Sequence, residues 1–189
     1  DGSLLYHLPS VIDDIEEEVT HIIRGEDHIS NTAYHIQIFK ALNSHSPQFA
    51  HHPFITDEEG KGFGKRIGSL SIDNLQSQGY ENVSIINYLI NIGSSENIKP
   101  ETKLDMIIKN FDIKNISNSS AKFSETVLKS LNSDVLKIYN FDEIYSKIEL
   151  SNNNVDLKKL WIFCQNNIEF LSDIEGWLKT IDTVIEIEK

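Results

Sequence analysis

The chain has 189 residues and a formal net charge of −12, from 29 acids against 17 bases. At 39% hydrophobic and 24% charged residues it is globular in composition and long enough to bury a core, which excludes a disordered chain. The acidic balance excludes a simple electrostatic nucleic-acid binder, so any RNA contact must use a local positive site. No apolar run approaches the roughly 20 residues of a membrane span. The single cysteine, Cys164, excludes an internal disulfide framework and suits a reducing compartment. No signal peptide is visible, and a start at Asp1 without an initiator methionine points to a fragment.

In chain order, Ser3–Leu8 has the length and apolar content of a strand, ended by Pro9 and Ser10. A second strand is expected at Val19–Ile23, followed by the loop Arg24–Gly25–Glu26–Asp27. Thr32 then caps a helix through Ile36, Phe39 and Leu42. Strand, polar loop and helix make half of a βαβ unit, and in open α/β sheets ligands sit at the carboxyl ends of strands. Phe49–Thr56 is a third apolar stretch, and DEEGKGFGKR after it is a loop by its glycines.

From Ser71 the pattern turns helical. Ser71 caps Ile72–Gln78, with Gly79 as a stop, and a helix from Val83 ends at Gly93. Pro100 opens a helix with Leu104, Ile107, Ile108 and Phe111 on one face. Ser124 opens another, Asp134 and Asp142 open two short pieces, and Asp156–Gln165 carries Leu157, Leu160, Trp161 and Cys164 on one stripe. Ser172 opens the last helix, and Ser151–Asn154 is the best internal linker. The fold class is α/β followed by all-α.

Only two residues are arginine, Arg24 and Arg66, against 15 lysines, so both mark places where a planar five-donor fork matters. Arg24 follows a strand, where it serves either as a carboxylate clamp or as an ion-pair partner of Glu26 or Asp27. Four of the 9 glycines (Gly60, Gly62, Gly64, Gly68) fall in one stretch, and GKGFGKR combines close backbone approach with the charge of Lys65 and Arg66. It is neither a P-loop nor G-x-G-x-x-G. The alternative is a solvated basic turn. The 7 histidines all lie at or before His52, without metal-ligand spacing, and His51 and His52 point to opposite faces of a strand. Cys164, Trp161 and Trp177 read as core, and Asp13 to Glu18 as a solvated charge run.

Together these segments resemble one family. DGSLLYHLPSVIDDIEEEVTHIIRGEDHISNTAYHIQIF is similar to the second half of the catalytic domain of bacterial glutamyl-tRNA synthetases, class I aminoacyl-tRNA synthetases. FAHHPFITDEEGKGFGKRIGSLSI resembles the strand and loop of their second signature, written KMSKS and often K-L-S-K-R in this family. Here Gly62 stands for the first lysine, Phe63 for the aliphatic residue and Gly64 for the serine, with Lys61 adjacent. The helical remainder resembles the stem-contact domain and the start of the helical anticodon-binding region.

The resemblance implies three parts: the C-terminal part of a Rossmann-like catalytic domain (1–58), the signature loop with a helical stem-contact domain (59–141), and the start of a helical anticodon-binding domain (142–189). It implies a fragment without the N-terminal half that carries the HIGH signature and without most of the anticodon-binding region, inactive by itself. It implies Tyr6, Ser10, Arg24 and Asp27 at the glutamate pocket, Lys65, Arg66, Gly62 and Gly64 at the ATP phosphates, and Lys65 as the catalytic lysine. The implied reaction is activation of L-glutamate with ATP and Mg²⁺ and transfer to tRNA(Glu), with tRNA(Gln) as a second candidate. The implied protein is a cytoplasmic monomer with no protein-bound metal. The rival of another class is a degenerate paralogue that binds tRNA or a protein partner without catalysis, which the GFGKR departure favours. Glutaminyl-tRNA synthetases continue into β-barrels rather than helices, and the tRNA-modifying paralogue stops soon after the signature.

Overall fold

In the computed structural model, residues 5–62, 71–94, 97–117, 119–148 and 155–187 are described, with side chains to residue 180. The chain divides into two compact units, Asp1–Ile55 with Ser117–Ala121, and Thr56–Ile116 with Lys122–Lys189.

In the first unit, the described part of Ser3–Leu8 is not a strand. Tyr6 already has helical dihedrals (φ −58°, ψ −25°), and helix α1 runs His7–Glu16. Pro9 lies in its first turn, where a backbone N–H has no acceptor within the helix, so the ring removes no bond. Ser10 N–H makes the first such bond, to the Tyr6 carbonyl at 3.0 Å. Val11 is fully buried, whereas Asp13 and Glu16 to Glu18 are exposed, as a solvated charge run should be.

Strand β1 is His21–Gly25. It starts later than Val19, so Arg24 and Gly25 belong to the strand and not to the loop after it. A 3₁₀ turn, Glu26–His28, leads directly into α2, Ile29–Ala41. Thr32 therefore sits inside the helix and does not cap it. Its hydroxyl donates back to the His28 carbonyl at 3.1 Å, a bond open to a threonine one turn into a helix. Strand β2, Gln48–His52, pairs parallel with β1 in the register His21↔Gln48 to Gly25↔His52. Parallel neighbours need a crossover, and α2 supplies it. The apolar stretch breaks at buried Pro53, which cannot donate to a ladder, and resumes as β3, Ile55–Thr56.

In the second unit, Asp57–Lys61 forms a tight turn. Asp57 N–H donates to the Lys61 carbonyl at 2.8 Å, and Gly60 takes the left-handed conformation (φ +84°) that the reversal requires. Helix α3 (Ile72–Ser77) is capped by Ser71, whose hydroxyl accepts from Asn74 N–H at 3.1 Å. Gly79 (φ +92°) reverses the chain into α4, Asn82–Asn91. Helix α5 is only Leu104–Asn110, because Lys103 is extended, and Met106 and Ile107 N–H close onto its carbonyl. Of the expected stripe only Ile107 is buried; Leu104, Ile108 and Phe111 are exposed. After β4 (Ala121–Lys122), α6 runs unbroken through Glu125–Ile138. Asp134 opens no element, but pairs with Lys137 one turn on, at 2.8 Å. The cap of α7 (Phe141–Ile144) is Asn140, in a capping box with Glu143, and not Asp142. Asp156 caps α8 (Leu157–Cys164), and α9 spans Asp173–Ile187. The core gathers Leu128, Val135, Leu136, Ile144, Trp161, Cys164, Ile168 and Ile174, all at most 1% exposed. The Ser151–Asn154 linker lies outside the described residues.

Candidate functional site

The polar cluster of the first unit is built on paired strands and the start of α2. Side chains of β1 alternate, with Ile22 and Arg24 half-buried and Ile23 exposed. In β2, Phe49 and His51 are the half-buried pair, and His52 is exposed. The register sets Ile22 opposite Phe49 and Arg24 opposite His51, so all four share the inward face.

Arg24 Nη2 donates to Thr32 Oγ1 at 2.8 Å, and the guanidinium lies 5.3 Å from the Phe49 ring centroid. His51 Nε2 reaches the same Thr32 oxygen at 2.8 Å. Arg24 Nε is buried without a partner among the described residues. Neither Glu26 nor Asp27 pairs with it there. Glu26 Oε1 accepts from Phe54 N–H at 3.1 Å, and Asp27 lies 3.6 Å from His28 Nε2.

Asn31, the residue before Thr32, donates from Nδ2 to the Tyr6 hydroxyl and lies 3.0 Å from His28 Nδ1. An amide nitrogen only donates, so the Tyr6 oxygen accepts from Asn31 and keeps its own proton to give elsewhere. Tyr6 and Arg24 thus rest on successive residues of one helix. Ser10 lies four residues after Tyr6, on the same side of the α1 helical path, and is half-buried. Asp27 folds back over Gly25: a Cβ at Gly25 would stand 2.5 Å from Asp27 Oδ1. The structure therefore gathers Tyr6 and Arg24 through α2, and holds Asp27 against the strand residue next to Arg24.

Gly62 closes the Asp57–Lys61 turn by an antiparallel bridge to Thr56. Lys61, beside it, pairs with Glu59 at 2.8 Å in an exposed position. Gly64, Lys65 and Arg66 lie outside the described residues.

The sequence did not single out Asn31, His28 or His35, and marked Thr32 only as a helix cap, because their partners are fixed by register and helix packing. His7, His28, His35 and His51 act as hydrogen-bond partners, and no group of three or more potential metal ligands is found among the described residues. His35, 2% exposed, shares a 3.0 Å contact with His7 Nδ1 through its Nε2, while its Nδ1 has no partner among the described residues. Burial first, then the positive Arg24 and the neighbouring His7, hold its pKa below the usual histidine value. His7 in turn lies under Tyr6, with ring centroids 4.1 Å apart.

Residues 1–130 match the family described as tRNA synthetases class I (E and Q), catalytic domain. Among its relatives are the proteins named glutamate–tRNA ligase 1 of Brucella canis and of Brucella suis biovar 1, each 38% identical over 182 residues. Each alignment covers 96% of this chain and 40% of the relative. Among solved structures, a glutamate tRNA ligase from Elizabethkingia meningosepticum in complex with its amino acid superposes with a TM-score of 0.76 at 25% identity, over 93% of this chain and 40% of that one. The glutamate–tRNA synthetase of Elizabethkingia anophelis gives a TM-score of 0.74 at 25% identity, over 91% of this chain and 40% of that one. The chain therefore spans about 40% of the length of these relatives, and its α/β part followed by helices has their fold. With more than half of its residues inside the family match, the chain belongs to the class I tRNA synthetases (E and Q), catalytic domain.

Proposed function

We propose that the chain is part of a glutamate–tRNA ligase that activates L-glutamate with ATP, as its Mg²⁺ complex, and transfers it to tRNA(Glu). Activation is an in-line attack of a carboxylate on the α-phosphate, with pyrophosphate leaving. The protein has to position two anions and offset the charge that builds between them. Tyr6, Ser10, Arg24 and Asp27 bind the amino acid. Gly62, Gly64, Lys65 and Arg66 bind the ATP phosphates, and Lys65 meets the developing charge. Residues 1–58 belong to the catalytic domain, 59–141 to a helical stem-contact domain, and 142–189 to the start of the anticodon-binding part. The protein works in the cytoplasm, as a monomer.

The observation that carries this reading is the donor set at α2. A half-buried guanidinium with Nε unpaired among the described residues calls for an acceptor, and a carboxylate matches its planar fork. The Tyr6 proton adds a second donor that no described residue accepts. The test is aminoacylation of tRNA(Glu) by the protein that carries this chain. Arg24→Ala should raise the KM for glutamate by at least about tenfold, the scale of a lost charge-assisted bond, and leave the KM for ATP within about twofold. An unchanged glutamate KM contradicts the reading.

A further inference from the structure

We propose that His51 is a positioning residue for amino-acid binding, which fixes the Arg24 guanidinium through the hydroxyl of Thr32. The proposal rests on the reading of Arg24 as a substrate clamp.

The argument is one of hydrogen-bond valence. A threonine hydroxyl has one proton and two lone pairs. Three groups meet Thr32 Oγ1: Arg24 Nη2 at 2.8 Å, His51 Nε2 at 2.8 Å and the His28 carbonyl at 3.1 Å. Arg24 can only donate and the carbonyl can only accept. With the Thr32 proton on the His28 carbonyl, both lone pairs are filled when His51 carries its proton on Nε2. Thr32 is then saturated and buried, at 8% exposure, and its oxygen cannot turn away from Arg24. The Phe49 ring limits the guanidinium on a second side.

The fold explains why His51 fills this role. It stands directly opposite Arg24 in the parallel register, on the same inward face. The next residue, His52, is exposed, and its Nδ1 lies 3.2 Å from the Pro53 carbonyl. Three elements, β1, α2 and β2, thus meet at one hydroxyl. An arginine with several rotatable bonds loses entropy when it is held, and fixing it before substrate arrives removes that cost from binding.

Nitrogen NMR provides a direct test: in the protein that carries this chain, the Nε–H signals of Arg24 and Arg66 are identified by their loss in Arg24→Lys and Arg66→Lys. His51→Leu and Thr32→Val, made in the protein that carries this chain, should each move the Arg24 signal toward that of a free guanidinium and leave the Arg66 signal in place. Each should raise the KM for glutamate about tenfold with kcat within about twofold, the signature of lost ground-state positioning. His51→Gln, whose amide also presents a donor, should restore most of both, and His52→Leu should change neither. An unmoved Arg24 signal in both His51→Leu and Thr32→Val overturns the proposal, whatever the kinetics. If Arg24→Ala itself leaves the glutamate KM unchanged, the clamp reading falls and the proposed role in substrate binding falls with it. A moved Arg24 signal with a raised glutamate KM, rescued by His51→Gln, supports both.

Discussion

Asn31 and Thr32 are neighbours at the start of α2, and each holds a side chain from a different element. Asn31 Nδ2 donates to the hydroxyl of Tyr6, and Thr32 Oγ1 accepts from Arg24 at 2.8 Å. One helix therefore sets the separation of two donors that arrive from the start of α1 and the end of β1. The relationship predicts an asymmetry at Asn31. An aspartate there only accepts, so it takes the Tyr6 proton that the asparagine leaves available. Asn31→Asp should raise the glutamate KM of the protein that carries this chain by about tenfold, while Tyr6→Phe in the same background should add little. Equal additive losses in steady-state kinetics would contradict the coupling.

Gly25 gives a second prediction. A methyl at this position would stand 2.5 Å from Asp27 Oδ1, the tip of a flexible and exposed side chain. Gly25→Ala should therefore displace the Asp27 carboxylate from its place beside His28 at a stability cost of about 1 kcal/mol. In urea denaturation, adding Asp27→Ala should abolish most of that cost. A loss that persists without the carboxylate would place the clash in the backbone.

His35 predicts how stability depends on pH. Its pKa is depressed in the fold, chiefly by burial and next by Arg24. In the unfolded chain it takes a proton near the ordinary value of 6.5, while in the fold it resists doing so. The sign follows: the stability is fully present above pH 6.5 and is lost as pH falls from there through the depressed folded value. Chemical denaturation at pH 7.5 and 5.5, chosen about one unit either side, should show a larger acid loss for the parent than for His35→Gln. Equal losses would contradict the assignment.

Asn132 should be the most costly polar residue of the second unit to replace. It is fully buried, accepts from Glu81 N–H at 2.9 Å and donates to the Glu169 carbonyl at 2.7 Å. It thereby joins the start of α4 to the segment before α9. Asn132→Leu strands two backbone groups, at about 1–3 kcal/mol each, so a loss of about 2–6 kcal/mol is expected in urea denaturation. A loss below about 1 kcal/mol would show that other groups take over both bonds.

The sequence was most legible where a local rule decides. Ser71 caps its helix, Gly79 reverses the chain, and Leu160, Trp161 and Cys164 are buried on one stripe. It misled where a short segment admits two readings. Ser3–Leu8 is apolar enough for a strand, yet Pro9 fits the first turn of a helix as well as it ends a strand. Asp142 looks like a cap, but Asn140 is the residue with extended backbone (φ −79°, ψ 162°) that a cap requires. The cluster around Arg24 was half legible. The rarity of arginine marked the residue, whereas Thr32 and His51 become its partners only once β1 and β2 pair in one particular register. Seven histidines suggest ligands by number but not by spacing, and the use of His7, His28, His35 and His51 as hydrogen-bond partners emerges only from three-dimensional packing.

The central claim is that Arg24 and Tyr6, held by Thr32 and Asn31, receive a carboxylate of L-glutamate. A crystal structure of the protein that carries this chain, soaked with L-glutamate, measures this directly. The account predicts a carboxylate within hydrogen-bonding distance of both the Arg24 guanidinium and the Tyr6 hydroxyl, with the Arg24–Thr32 bond kept. Glutamate bound elsewhere, with Arg24 and Tyr6 touching only protein, would contradict it.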